Sequence, residues 1–361
     1  MPTRVVLAMS GGVDSSVAAC LLQQQGYEVI GLFMRTGAHG HDDGKTPSNK
    51  KGCCSALDAG DARRVADQLD IPFYALDFEQ DFERIIDYFA DEYLKGRTPN
   101  PCVVCNNWLK FGKLWSYGKQ LEADFVATGH YAQIVERGGV HELHRAVDPD
   151  KDQSYVLGGL RRSLLPHILF PIGDRRKDEV RELARQLGLG VADKPDSVEI
   201  CFVPDGDHGD MIRRRRPGLQ TTGSFVDTAG NVLAEHAGIE NYTIGQRKGL
   251  NYAGGQRRYV LQIVPESNTV VLGDREELLA SGLIASRVNW LLEAVPEQPL
   301  SCQAKIRYHH KGVQATVTAL PDGGASVAFA EPQTAVTPGQ AVVFYDGPRV
   351  LGGGWIEQAT T

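Results

Sequence analysis

The chain has 361 residues, more than one hydrophobic core usually serves, so we expect two or three domains. Apolar residues make up 42% of the chain and charged residues 23%, which is typical of a folded globular protein and excludes a disordered one. The formal net charge of −7 argues against a surface that is basic throughout, although clusters such as Arg213 to Arg216 are compatible with one basic face. No apolar run approaches the ~20 residues of a membrane-spanning helix, and no signal peptide precedes the first predicted strand. We therefore expect a cytoplasmic protein without a membrane partner.

The first predicted strand ends in a glycine-rich turn. The segment RVVLAMSGGVDSS, residues 4–16, is an apolar run that stops at Ser-Gly-Gly and continues as a helix over about 15–25. Gly11 and Gly12 permit backbone angles that let successive N–H groups point inward, and the helix presents its positive dipole end at the same place. These features predict a phosphate-binding turn. Because the lysine of a Walker-type loop is absent, it is a different kind of turn. SGGVDSS resembles the loop of the PP-loop ATP pyrophosphatases, which implies ATP with Mg²⁺ as its ligand.

A second apolar run over 28–34 completes a strand–helix–strand unit and predicts a doubly wound, mostly parallel α/β sheet. Met34 ends this run, where such sheets bind ligands, but a core position fits the pattern equally well. Residues 36–54, which include Cys53 and Cys54, are polar and glycine-rich and predict a flexible loop. The next predicted elements are helices over 55–69 and 82–94 and a strand over 73–78.

The middle of the chain holds three cysteines of interest. Cys102 and Cys105 form a CxxC pair in the proline-rich segment 96–107, which we predict to be irregular. A helix is predicted over about 107–120, so we expect Cys105 at a helix N-terminus, where the thiolate is favoured. A strand over 123–130 ends in Gly129-His130, a hairpin follows over 131–147, and a helix over about 177–187. Cys201 lies in a segment that we predict to be extended.

From residue 223 onward, short alternating stretches broken by turns predict two small β-rich modules, split near residue 282, the second a β-barrel. We therefore predict an α/β catalytic domain over 1–204, a central β-rich domain over 205–282 and a C-terminal β-barrel over 283–361.

Seven cysteines in a chain of this length do not indicate a secreted disulfide scaffold. A CxxC pair with one distant cysteine fits a redox dithiol, half of a zinc site or coincidence. Sulfur transfer suits an ATP loop better, because adenylation turns a carbonyl oxygen into a leaving group that a persulfide can displace, and a second thiol can then release the sulfur.

The chain resembles the tRNA-specific 2-thiouridylases over nearly its whole length, in the segments SGGVDSS, GRTPNPCVVCN, ATGHYA, KDQSYVL, DSVEICF, NYTIGQRKGL and TPGQAVVFY. The resemblance implies ATP-dependent thiolation of the wobble uridine of tRNA at C2, through an adenylated uridine, with a persulfide carrier protein or sulfide as the sulfur donor. The residues that it implies are Ala8, Met9, Ser10, Gly11, Gly12, Val13, Asp14, Ser15, Met34 and Gly129 for ATP; Cys105 as nucleophile and Cys201 as persulfide carrier; and Asn100, Pro101, Cys102, His130, Lys151, Asp152, Gln153, Arg307, Tyr308 and Gln340 for tRNA.

One position departs from the family pattern. Well-known members have Asp where Cys102 stands, and that carboxylate is credited with acid/base work, for which a neutral thiol is a poorer group. Two interpretations stay open: Cys102 is a tolerated replacement near the target base, or Cys102, Cys105 and Cys201 hold a 4Fe–4S cluster with one open iron. Two other functions are an amidating synthetase of the same superfamily and a nucleotide-binding iron–sulfur sensor.

Overall fold

The computed structural model describes residues 2–37, 56–196, 200–203, 206–250 and 257–361. The chain divides into two compact units. Unit 1 comprises Met1–Ile85, Cys102–Gly206 and Pro348–Val350, and unit 2 comprises Ile86–Pro101, Asp207–Gly347 and Leu351–Thr361. Nearly all of the loop predicted over 36–54, with Cys53 and Cys54, lies outside the described residues.

Unit 1 contains a parallel sheet, a β-hairpin and the helices around them. The elements in chain order are β1 (Arg4–Ala8), α1 (Val13–Gln24), β2 (Glu28–Arg35), α2 (Ala56–Gln68), β3 (Phe73–Asp77), α3 (Glu79–Leu94), which continues into unit 2, α4 (Pro101–Val104), a π-helix (Cys105–Lys113), α5 (Leu114–Gln120), β4 (Phe125–Thr128), β5 (Ala132–Arg137), β6 (Val140–Arg145), two 3₁₀ turns (Ser154–Leu157 and Arg162–His167), β7 (Ile168–Leu169) and α6 (Lys177–Gln186).

The sheet of unit 1 has the strand order β3-β2-β1-β4-β7, and all neighbouring strands run parallel. The inner strands β1 and β2 are buried along most of their length, which is why they are continuous apolar runs in the sequence. The predicted parallel α/β sheet is confirmed. Because β1 lies between β2 and β4, the loops that leave β1 and β4 flank one crevice at the carboxyl edge of the sheet.

Helix α1 anchors the glycine-rich turn. Nine of its twelve residues are buried, so it is covered on most sides. Ala18 and Ala19 have no exposed surface, and such small side chains let a helix lie close to a sheet. The N-terminus of α1 therefore has a well-fixed position beside the end of β1.

The helix that carries the CxxC pair begins earlier than predicted. Instead of irregular chain up to residue 107, α4 begins at Pro101, and the π-helix and α5 follow with helical backbone angles at Val104 and Leu114. Proline fits the first turn of a helix because the N–H that it lacks has no intrahelical partner there. Cys105 consequently lies beyond the first turn, and Cys102 is the thiol nearest the N-terminus.

Unit 2 consists mainly of β-strands. Its further elements in chain order are α7 (His208–Arg215), β8 (Gly223–Val226), β9 (Val232–His236), a 3₁₀ turn (Ile239–Asn241), β10 (Tyr259–Val264), a 3₁₀ turn (Pro265–Ser267), β11 (Thr269–Gly273), a 3₁₀ turn (Arg275–Leu278), β12 (Leu279–Trp290), β13 (Leu300–Lys305), β14 (Val313–Ala319), β15 (Ala325–Thr334), β16 (Ala341–Asp346) and β17 (Arg349–Thr360).

These strands form two sheets. The smaller one has the order β10-β11-β8-β9. The larger one has the order β12-β15-β14-β13-β16-β17 and closes into a six-stranded barrel, because β12 also pairs with β17. Ala315 and Val317 of β14 are buried, and Gln314 and Thr316 between and beside them are exposed, the period of two expected of a strand that faces a core on one side. The predicted β-rich modules ending in a barrel are confirmed.

None of the helices within the described ranges is long and apolar enough to cross a membrane. The division into three consecutive domains after residues 204 and 282 stays a prediction.

Candidate functional site

Serine hydroxyls hold the turn between β1 and α1. The Ser15 hydroxyl oxygen accepts from the Ser10 backbone N–H at 3.2 Å and lies 3.3 Å from the Ser10 hydroxyl oxygen. Ser15 and Ser16 donate their hydroxyls to the Gly12 carbonyl at 3.2 and 2.8 Å. Gly12 is the N-cap residue of α1 and has no side chain to accept from the first N–H groups of the helix. A bound anion is the natural acceptor at such a helix end.

Two glycines let neighbouring elements approach this turn. Gly11 has a φ of +72°, and a Cβ there would lie 2.1 Å from the Asp58 carbonyl oxygen. A Cβ on Gly129, which follows β4, would lie 2.7 Å from the Ser15 backbone nitrogen. Only glycine fits at either position. The carboxyl end of β4 therefore reaches the first turn of α1. Met34, near the end of β2, is 8% exposed.

A network of charged side chains lies beside the first turn of α1. The Lys177 ammonium donates to both carboxylate oxygens of Asp14 at 2.8 Å and lies 2.8 Å from Asp196 Oδ1. Asp196 also accepts from Lys151 and from Arg181, each at 2.8 Å. We call these five side chains the Asp14–Asp196 network.

The pKa shifts in this network follow from its contacts. Burial opposes ionisation of Asp196, but hydrogen bonds from Lys151 and Lys177 outweigh it and lower the pKa of Asp196 to about 2. The hydrogen bond to Asp196 in turn raises the pKa of Lys151. Tyr131 donates its hydroxyl to Asp14 at 2.8 Å, and burial together with the Asp14 charge raises the pKa of Tyr131. At neutral pH Asp196 is therefore ionised and Tyr131 keeps its proton.

Lys194 joins the glycine-rich turn to α2. Its ammonium donates to the Gly11 carbonyl at 2.8 Å and to the carboxylates of Asp58 and Asp61, each at 2.6 Å. Burial alone would lower the pKa of Lys194, but the two carboxylates raise it overall. A charged lysine thus holds the Gly11 carbonyl in place.

Lys177, Lys194, Asp58 and Asp196 were not predicted from the sequence as residues of this site. Each is far along the chain from the glycine-rich turn and reaches it only through the fold. One signal was available, because Lys177 is the first residue of α6, and the helix dipole disfavours a cation at that end. A buried lysine at that end needs carboxylates in contact with it, and Asp14 and Asp196 supply them.

The three thiols named in the sequence analysis all belong to unit 1, and they differ in exposure. Cys102 is exposed, whereas Cys105 and Cys201 are half-buried. Cys201 lies in a turn closed by a hydrogen bond from the Val203 N–H to the Ile200 carbonyl at 2.8 Å, so the chain turns here instead of running extended as predicted.

Two further cysteines behave as packing residues. Cys20 lies in the core of unit 1 and Cys302 in the core of the barrel. Burial raises the pKa of Cys20 to about 11 and that of Cys302 to about 12, so both stay protonated and unreactive at neutral pH.

The iron–sulfur interpretation requires Cys102, Cys105 and Cys201 to converge. Within the described part of the chain, no three His, Cys, Asp or Glu side chains form a group that could hold a metal ion. A cluster held by these three cysteines stays a prediction, and no chemistry is derived from one.

His130, expected to contact tRNA, lies inside unit 1. Its side chain is 7% exposed, and its Nδ1 lies 2.6 Å from the Thr128 hydroxyl oxygen. The rings of Phe111 and Phe170 flank it with centroids 6.1 and 6.0 Å away. Burial, helped by the charge of Lys110, keeps the pKa of His130 well below its ordinary value, so the imidazole is neutral. A direct contact with RNA stays a prediction.

The adjacent residues Lys151, Asp152 and Gln153 also make contacts within unit 1. Asp152 accepts from the Ala146 and Ser154 backbone N–H groups at 3.2 and 3.1 Å. Gln153 accepts from the Tyr131 N–H at 2.9 Å through its side-chain oxygen. Lys151 belongs to the Asp14–Asp196 network. These contacts shape the loop beside the glycine-rich turn, and its contact with tRNA stays a prediction.

Unit 2 has a cavity of about 650 Å³ that brings together three residues expected to bind tRNA. Arg307, Tyr308 and Gln340 all line it, as does Thr98. Gln340 donates its side-chain amide to the Thr98 carbonyl at 3.0 Å. The cavity therefore adjoins the chain that leads to Asn100, which is half-buried, and to the buried Pro101.

The arginine run of unit 2 is engaged in ion pairs. The pairs are Arg213 with Glu240, Arg214 with Asp210, Arg215 with Asp87, and Arg216 with Asp87 and Asp91. Acidic side chains thus neutralise part of the positive charge of the cluster.

Comparisons with known proteins cover almost the whole chain. Residues 3–205 match the family described as tRNA methyl transferase HUP domain, residues 211–274 its PRC-barrel domain and residues 280–356 the aminomethyltransferase beta-barrel domain. A tRNA-specific 2-thiouridylase MnmA from Rhodopirellula baltica is 49% identical over an alignment of 390 positions that covers 99% of this chain and 97% of that protein. The one from Geobacter metallireducens is 50% identical over 99% and 98%. Among solved structures, an NMN synthetase from Francisella tularensis covers 54% of this chain and 66% of its own, with a TM-score of 0.32 and 20% identity. By its full-length identity to these relatives, the chain belongs to the family of tRNA-specific 2-thiouridylases.

Proposed function

We propose that this protein is a tRNA sulfurtransferase of the cytoplasm that uses ATP to convert the wobble uridine of tRNA into 2-thiouridine. The observation that carries the proposal is the identity of about half of all residues with 2-thiouridylases over 99% of the chain. A glycine-rich turn at a helix N-terminus, thiols that are exposed or half-buried, and a cavity lined by arginine, tyrosine and glutamine side chains are parts that such a reaction can use.

ATP binds at residues 8–15, with Met34 and Gly129 beside it. Two features support this assignment: the N-terminus of α1 offers backbone donors, and the Asp14–Asp196 network combines three cations with two carboxylates, so its net charge attracts a polyanion. Mg²⁺ accompanies the nucleotide and would be held mainly by its phosphates, since Mg²⁺ at such sites needs only one or two carboxylates from the protein.

The reaction proceeds in two stages. The uridine O2 attacks the α-phosphorus of ATP, pyrophosphate leaves, and C2 then carries AMP as its leaving group. The terminal sulfur of a persulfide on Cys201 attacks C2, and AMP departs with the oxygen. The Cys105 thiolate attacks the Cys201 sulfur, which breaks the persulfide bond, leaves the sulfur on C2 and forms a disulfide between Cys105 and Cys201. A thiol reductant restores the two cysteines, and a persulfide carrier protein recharges Cys201.

Cys102, with Asn100 and Pro101, lies at the target base. Its exposure and its place in the first turn of a helix support this assignment, since that helix end favours a thiolate. Because AMP is a good leaving group, we expect a thiol to suffice where other members have a carboxylate.

Parts of the tRNA other than the target base are bound by His130, Lys151, Asp152, Gln153, Arg307, Tyr308 and Gln340. The shared cavity of the last three supports this assignment for unit 2. Proteins commonly recognise RNA loops by stacking the exposed bases on aromatic or arginine side chains, and Tyr308 and Arg307 are of these types.

The test measures pyrophosphate release and 2-thiouridine in unmodified tRNA supplied with ATP and a persulfide donor. We expect Cys105→Ser and Cys201→Ser to abolish 2-thiouridine and to keep ATP affinity, whereas Cys302→Ala, the control at a buried thiol, stays active. Full activity in either serine variant would contradict the two-cysteine mechanism.

The same assay separates the other functions. An amidating synthetase would release pyrophosphate with an ammonia source and would not need Cys105 or Cys201. A nucleotide-binding sensor would show no tRNA-dependent pyrophosphate release. Stoichiometric iron in protein purified without oxygen, with thiolation lost when the iron is removed, would overturn the persulfide route in favour of a cluster.

A further inference from the structure

Lys177 occupies a position that is unfavourable for a lysine on local grounds. It is the first residue of α6, where the helix dipole repels a cation, and its side chain is only 11% exposed. Burying an ammonium costs free energy unless carboxylates compensate it. Asp14 and Asp196 do so at 2.8 Å, so the fold holds this ammonium between two acids that are distant from it in sequence.

The Asp14 carboxylate is unfavourable for the binding of a triphosphate. It lies in the first turn of α1, the helix end at which the triphosphate of ATP is proposed to bind. A carboxylate there repels a polyanion, and at partly buried positions the repulsion between like charges is several times stronger than in water. Lys177 contacts both oxygens of this carboxylate, and the Tyr131 hydroxyl donates to one of them.

We propose that Lys177 is a positioning residue for the nucleotide: its ammonium neutralises Asp14 and holds that carboxylate in place, so that the turn after β1 can accept the triphosphate. The inference rests on the proposed binding of ATP at this turn. In this proposal Lys177 sets the net charge around the turn and does not contact the reacting atoms.

Removing the ammonium has a specific effect on the network. Asp196 keeps two cations, Lys151 and Arg181, at 2.8 Å. Asp14 keeps only the neutral hydroxyl of Tyr131 among the contacts described above. The loss of Lys177 therefore leaves Asp14 with only the longer-range attraction of Lys151, whereas Asp196 keeps two cations in direct contact.

The experiment measures the dissociation constants of AMP and of an ATP analogue whose bridging oxygen between the α and β phosphates is a methylene group. We expect Lys177→Met to raise the value for the analogue about tenfold and that for AMP less than about threefold, because the analogue carries more negative charge. Adding Asp14→Asn to Lys177→Met should recover part of the lost affinity for the analogue, because it removes the carboxylate charge that Lys177 neutralised. Lys177→Arg retains the cation and should stay within about threefold of the wild type.

An exposed lysine of the same unit provides the control: Lys119→Met, on α5, should leave both dissociation constants unchanged. The inference is overturned if Lys177→Met binds the analogue like the wild type, if it weakens AMP and the analogue equally, or if Asp14→Asn brings no recovery. Equal weakening would mean that the turn is merely distorted. Failure of the wild-type protein to bind the analogue would instead refute the proposed function, and the inference with it.

Discussion

Gly11 offers the sharpest test of the nucleotide turn, because two independent costs meet at this residue. Its φ of +72° lies in the left-handed region, which costs an alanine about 1–2 kcal/mol. A Cβ would also lie 2.1 Å from the Asp58 carbonyl oxygen and 2.8 Å from the Asp58 carbonyl carbon. Ordinary contacts are about 3.5 Å or longer, so the turn and α2 would have to separate by more than about 1 Å. Lys194 bonds to both Gly11 and Asp58, so this separation would strain its contacts as well.

We therefore expect Gly11→Ala to destabilise unit 1 by about 2 kcal/mol, which lowers the unfolding temperature by about 4–8 °C for a unit of this size. Because the turn moves, ATP affinity should fall at least about tenfold. Calorimetry gives both quantities. The matched control is Gly190→Ala, since Gly190 has an ordinary φ and open space around its Cβ position. An alanine at residue 11 that preserves both ATP affinity and unfolding temperature would refute the close approach described here.

Two further predictions concern His130 and the RNA-binding surface. Burial keeps the pKa of His130 below its ordinary 6.5, so at acidic pH the unfolded chain takes up a proton that the folded chain does not. The resulting contribution to the free energy of unfolding is complete above about pH 6.5 and is lost as the pH falls below it. His130→Asn should therefore flatten the fall in unfolding temperature between about pH 7.5 and 5.5, whereas the exposed control His309→Asn should not; identical profiles for His130→Asn and the wild type would contradict this. For RNA, Arg307→Ala should weaken tRNA binding about tenfold and reduce the slope of its salt dependence by about one, while Arg214→Ala, within an ion pair, should change affinity less than about twofold. Equal losses of tRNA affinity in the two arginine variants would show that the cavity of unit 2 is not the RNA-binding surface.

Elements whose cause is local were predictable. The apolar runs of β1 and β2 are continuous because both strands are buried inside a parallel sheet, and the hairpin of β5 and β6 turns at Gly138-Gly139, which both take positive φ. The alternating stretches after residue 223 form short strands and a closed barrel for the same reason: a period of two puts one face into a core.

Predictions failed where local pattern and tertiary context compete. Pro101 looks like a helix breaker in sequence, yet it starts a helix, because only the fold decides which side of a proline the helix lies on. The π-helix from Cys105 has no signature in composition, and the turn at Cys201 depends on a hydrogen bond between residues three apart. The burial of His130 between Phe111 and Phe170 also has no signature in the sequence, because the three rings come from separate segments.

By itself, the sequence determined the parallel sheet, the glycine-rich turn, the identity of the thiols and the resemblance to 2-thiouridylases, because each of these depends on short contiguous segments. Only the tertiary structure decided the charges around the turn. Asp14, Lys177 and Asp196 come from three separate segments, and the distances of 2.8 Å between them exist because the carboxyl edge of the sheet gathers loops that are far apart along the chain. The same holds for the cavity of unit 2, where Thr98 meets Arg307 and Gln340. Electrostatic compensation depends on distance in space, and a sequence records only distance along the chain.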